Sequence, residues 1–78
     1  MVKPKANVEA IRKAIELCGG NRKLSIKAGV SYPAIIEWKS GRISPNPLSC
    51  IKIEAATEGK VTRRDILPDY PWDRFKEI

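Results

Sequence analysis

Seventy-eight residues with 42% apolar content allow one domain with a single small core and exclude a chain disordered throughout. With no histidine and only Cys18 and Cys50 as thiols, the chain lacks the ligand set of a zinc site, and in a reducing compartment both cysteines read as small core residues. No apolar run approaches the ~18 residues of a membrane span, and none follows the charged start "MVKPK" as in a secretory signal, so a cytoplasmic protein without membrane contact is expected.

The net charge of +6 is unevenly spread. Residues 1–64 carry thirteen Lys/Arg against five Glu, whereas residues 65–78 carry two basic residues against four acidic ones. A basic body with an acidic tail suits an anionic partner, although solubility alone also explains such charge.

In chain order, "NVEAIRKAIELC" places Val8, Ile11, Ile15 and Cys18 at the spacing of one helical face. Asn7 can cap its start, and Gly19-Gly20 ends it. "NRKLSIKA" (21–28) reads as a second, short helix with Asn21 as its cap and Gly29 as its end. Ser31 caps a third helix, in which Pro33 falls in the first turn, where its missing N–H costs nothing. That helix runs to about Lys39, and Ser40-Gly41 closes it. "ISPNPL" is a loop, and Asn46-Pro47 starts a fourth helix ending near Thr57, with Gly59 beyond it. "TRRDIL" has the form of a capping box, Thr62 with Asp65, and predicts one further helical turn before Pro68. The tail "DYPWDRFKEI" reads as irregular, with Tyr70, Trp72 and Phe75 as an aromatic group that folds back on the core. Alternating strand patterns and repeats are missing. The expected fold is all-α, four to five helices in a single domain over 1–78, with its core at about 7–68 and a tail at 69–78.

Two short helices joined through Gly29 describe a helix-turn-helix. Glycine suits the turn because positive φ is costly for a residue with a β-carbon. Leu24, Ala28, Val30, Ile35 and Trp38 form the inner face, with Ser25 small enough for close helix approach. In a DNA-binding helix-turn-helix the opposite face of the second helix enters the major groove. Its base-contact candidates here are Ser31, Tyr32, Pro33, Ile36, Glu37 and Ser40. The phosphate candidates are Asn21, Arg22, Lys23, Lys27, Lys39 and Arg42, five of them basic in a stretch with one acidic residue. Arg63 and Arg64 read as cap-related or solvated rather than DNA-contacting. A glycine-turned helical hairpin also occurs in domains that bind no DNA.

The pieces Gly19-Gly20, Ala28-Gly29-Val30, Trp38, "IEAAT" (53–57) and "VTRRDIL" (61–67) together resemble the Cro-type and YdaS-like family of small phage and prophage regulators over about residues 8–72. The resemblance implies a lambda-repressor-like helix-turn-helix domain and a transcriptional repressor of a phage-type operator. Some members of such families are described as antitoxins, so the alternative is a protein whose main role is to hold a protein toxin. Glu37 departs from the neutral polar residue, such as glutamine, often found there in the family; a carboxylate at that point can accept from a cytosine amino group or stay in solvent. The loop "RISPNPLSC" is longer than the family's usual version.

Enzyme chemistry finds no support: there is no histidine, no phosphate-cradling glycine loop and no nucleophile beside a base, and no cofactor is expected. The sequence therefore reads as a DNA-binding repressor that occupies a two-fold operator as a homodimer, because one short recognition helix offers few base contacts alone.

Overall fold

The computed structural model describes residues 5–75, with 74 and 75 described by backbone alone. The charged start (1–4), the end of the acidic tail (76–78) and the Phe75 side chain lie outside what is described. Five α-helices follow in order: α1 Val8–Cys18, α2 Asn21–Ala28, α3 Tyr32–Ser40, α4 Pro47–Ala56 and α5 Arg63–Ile66. A 3-10 helix spans Trp72–Phe75, so the tail is not irregular throughout as its prolines suggested. No strand occurs among the described residues, and the all-α expectation holds.

Local chemistry sets most helix starts. Asn7 Oδ1 accepts from the Glu9 N–H at 3.1 Å, Ser31 Oγ from Ala34 at 3.2 Å and Asn46 Oδ1 from Ser49 at 2.8 Å. Each satisfies one of the N–H groups that a first helical turn leaves open. Thr62 and Asp65 form the reciprocal capping box, Thr62 Oγ1 accepting from Asp65 N and Asp65 Oδ2 from Thr62 N. Those bonds, the Thr62 backbone N–H first, hold the Asp65 carboxyl below its ordinary value.

Asn21 is a correction. The cap of α2 is Gly20, at φ 128° and ψ 171°, and Asn21 is the first helical residue. That backbone region is essentially closed to residues with a β-carbon, so the cap position requires glycine.

The inner face of α1 is centred differently from the predicted stripe. Ile11 and Cys18 are buried as expected, but Ala10 and Ala14 take the middle, while Val8 and Ile15 lie half-buried at its edges. Small alanines let the α1 backbone approach α2, α3 and α5, all of which pack on it. Leu24, Ala28, Ile35 and Trp38 join this core as predicted, with Val30 partly buried against it.

Helix α4 runs from Pro47 to Ala56 with Thr57 as its C-cap, ending where the sequence places it. Thr57 is 4% exposed; its hydroxyl accepts from Val61 N at 3.1 Å and lies 3.1 and 3.2 Å from the carbonyls of Glu54 and Val61. Glu54, on the same helix, receives the Arg63 backbone N–H at 2.6 Å and its Nε at 3.1 Å, joining α4 to the start of α5.

Trp72 is buried, donates Nε1–H to Leu67 O at 2.7 Å and packs against Tyr70 at 4.7 Å between ring centroids. The core therefore extends past residue 68 into the tail. Arg64 pairs with Asp73 at 2.8 Å and the Arg63 guanidinium lies 5.8 Å from the Trp72 ring centre, so both arginines serve this docking. Cys18 and Cys50 are buried free thiols, and burial pushes Cys50 up to about 12. No helix among the described residues is long and apolar enough to cross a membrane.

Candidate nucleic-acid interface

Helices α2 and α3 are joined by Gly29 and two residues in extended or irregular backbone. Gly29 sits at φ 71°, in the left-handed region, and its N–H donates to Ser25 O at 3.0 Å. Val30 N donates to the same carbonyl at 3.1 Å, and Ser25 Oγ donates back to Val30 O at 2.6 Å. Ser25 therefore does more than allow close approach. Its backbone carbonyl accepts from the turn and its hydroxyl donates to it, and together these bonds fix α3 relative to α2. Ile35 and Trp38 anchor the inner side of α3 in the core, which leaves the other side outward.

Of the base-contact candidates, Ser31, Tyr32, Pro33 and Ser40 are exposed, and Ile36 and Glu37 are half-buried. Tyr32, at the first position of α3, is 43% exposed although large and apolar. Ser31 Oγ accepts the cap bond with one lone pair, and its O–H remains a donor. Ser40 Oγ donates to Glu37 O at 2.8 Å and accepts from Arg42 N at 3.3 Å, so its hydroxyl serves the end of α3.

Of the phosphate candidates, Arg22, Lys23, Lys27 and Arg42 are exposed, while Asn21 and Lys39 are half-buried. Asn21 Oδ1 is buried without a hydrogen-bond partner. Two candidates of each kind meet. The Arg22 guanidinium lies over the Tyr32 ring, 5.6 Å from its centre, within cation–π range. Arg42 Nε lies 3.7 Å from Glu37 Oε2. Each end of α3 thus has an outward side chain braced by an arginine.

Sequence reasoning missed Arg12. Its Nη2 donates to the Lys39 carbonyl at 3.4 Å, at the C-terminal end of α3 where a cation is favoured. Arg12 was hidden by distance along the chain; only the packing of α1 on α3 brings it there.

Together the locked turn, the outward start of α3 and the cations beside it define a small helix-turn-helix domain with a basic flank. The chain belongs to the family described as "Bacterial toxin YdaS", which matches residues 11–75. It is similar to the "Putative transcriptional regulator YdaS" of Escherichia coli (strain K12), at 28% identity over 67 residues, covering 86% of this chain and 68% of that protein. It is also similar to the "Regulatory protein cro" of Pseudomonas phage D3, at 23% identity over 60 residues, covering 77% of this chain and 82% of that protein. No solved structure matches the chain. The resemblance carried by the "IEAAT" and "VTRRDIL" blocks is thereby borne out at the level of the family.

Proposed function

We propose that this protein is a sequence-specific double-stranded DNA-binding transcriptional repressor of the phage or prophage type, not an enzyme, and that it acts by occupying an operator as a homodimer. The observation that carries this reading is the exposed start of α3, Tyr32 and Pro33, beside the exposed cations Arg22, Lys23 and Lys27 of α2. In this reading Tyr32, Pro33 and Ser31 meet base edges, with Ile36 and Glu37 deeper along the helix. Arg22, Lys23 and Lys27 grip phosphates on one side, and Lys39 and Arg42 on the other. Gly20 supplies no side-chain cap, so the first-turn N–H groups of α2, with Asn21, are open to a phosphate oxygen. The two relatives, named as regulators, support the reading.

Steric occlusion of a promoter needs no catalytic group, and the domain offers a rigid helix on a turn locked by Ser25. Two copies reading symmetric half-sites about one helical turn apart would supply the base contacts that one helix lacks.

Selection of bound fragments from random duplex DNA tests this. The expected result is an enriched two-fold symmetric site with half-sites separated by about 10 base pairs. Recovery of unenriched sequence refutes it. The description of the family as a toxin favours a second reading, a place in a toxin–antitoxin pair in which the main contact is with a protein. That reading predicts no enriched DNA together with a stable complex of defined stoichiometry with the partner protein.

A further inference from the structure

The sequence gives Glu37 and Arg42 separate tasks, one at bases and one at phosphates. The structure puts them in one ion pair. Arg42 Nε and Glu37 Oε2 are 3.7 Å apart, with side-chain exposures of 77% and 34%. An exposed pair of long side chains is ordinarily worth little, because both must be immobilised to make it. Here the backbone does part of that work. Past Gly41 (φ 84°) the chain returns over the last turn of α3. Arg42 N donates to Ser40 Oγ, Ser40 Oγ donates to Glu37 O, and Ile43 N donates to Glu37 O at 3.5 Å. Ser40 and Ile43, which flank Gly41-Arg42, are thus both tied to the carbonyl of Glu37.

Resting on the DNA-reading function proposed above, we infer that Glu37 and Arg42 act as one reading unit that selects cytosine at one position in each half-site. A bare carboxylate on α3 would face the phosphates as a like charge. Arg42 offsets that charge and orients the carboxylate. A carboxylate only accepts hydrogen bonds, and in the major groove cytosine offers the N4–H donor, whereas guanine offers only acceptors and adenine sets the N7 acceptor, which repels a carboxylate, beside its N6–H donor. The ion pair is made through Nε, and a guanidinium carries five N–H donors, so the terminal nitrogens of Arg42 remain for a phosphate while Nε holds Glu37. Arg42 is therefore a positioning residue as well as a backbone contact, and base selection at that position is coupled to phosphate contact.

The test is selection from random duplex DNA with the wild-type protein, Glu37→Gln, Arg42→Ala and Arg42→Lys, followed by titration of each against the wild-type site and its single-base variants. Wild type is expected to prefer cytosine at one position per half-site by roughly tenfold. Glu37→Gln replaces that preference with adenine, whose N6–H and N7 suit an amide, and leaves the other positions unchanged. Arg42→Ala weakens binding to every sequence and also erases the cytosine preference, and Arg42→Lys restores the first effect more than the second. If Glu37→Gln tightens binding to all sequences alike with an unchanged base profile, Glu37 is only a charge partner and the inference is overturned. If Arg42→Ala weakens binding uniformly while the cytosine preference survives, the coupling is overturned. A wild-type protein that enriches no sequence overturns the DNA-reading function, and this inference with it; enrichment without a cytosine position overturns the inference alone.

Discussion

Replacing Thr57 by valine changes one hydroxyl to a methyl with little change of shape. It removes the acceptor for Val61 N–H, a bond of 3.1 Å between buried groups, and the donor shared between the carbonyls of Glu54 and Val61. The Glu54 carbonyl keeps a partner, since Gly59 N donates to it at 2.9 Å, so the main loss is at Val61. An orphaned buried N–H costs about 1–3 kcal/mol. Taking the middle of that range, about 2 kcal/mol corresponds to a fall in Tm of about 8–16 °C for a domain of this size. Thr57→Ser is the control: it keeps the hydroxyl and loses one methyl, for about 0.8 kcal/mol. Thermal unfolding followed by circular dichroism should rank the proteins wild type, then Thr57→Ser, then Thr57→Val. A valine variant as stable as the serine variant would refute the role given to the hydroxyl.

Trp38→Ala should cost roughly 3–5 kcal/mol in urea unfolding, because a ring only 7% exposed leaves a large cavity; a 78-residue domain holds roughly 4–12 kcal/mol in total, so the variant sits near its limit. Tyr32→Ala should lower the ratio of specific to non-specific DNA affinity by about 1–3 kcal/mol, measured by titration against the selected and a scrambled duplex, with Tm unchanged. Burial raises the Cys50 thiol from 9.0 to about 12 in the fold, so its contribution is complete below about pH 9 and is lost as pH rises from there toward 12. Urea midpoints across that alkaline range should fall less steeply for Cys50→Ala than for wild type.

Helix starts were legible because capping is local: Asn7, Ser31, Asn46 and Thr62 act within three residues of themselves. Asn21 was misread for a reason equally local but hidden from residue type, since the unusual φ of Gly20 claims the cap. The inner face of the helix-turn-helix was legible from spacing, as Leu24, Ala28, Ile35 and Trp38 show. What spacing cannot show is where chain segments meet. Ala10 and Ala14 displaced Val8 and Ile15 because α1 has three neighbouring helices to approach closely. Trp72 joined the core through a bond to Leu67 O that no periodicity announces. In the candidate site the residue set was legible but its pairing was not: Arg22 with Tyr32 crosses the turn, and Arg42 reaches Glu37 only because the chain doubles back at Gly41.

The central claim is that the basic face around α2 and α3 grips the DNA backbone while α3 reads its sequence. It is tested most directly by measuring affinity for the selected duplex and for a scrambled one over a range of salt concentrations. Of the ten candidate cations that a dimer brings to the backbone, about four to six are expected to close phosphate contacts at once, so log K should fall against log salt with a slope of about −4 to −5 for the selected site, and the selected site should be preferred throughout. A flat salt response with equal affinity for both duplexes would contradict the account.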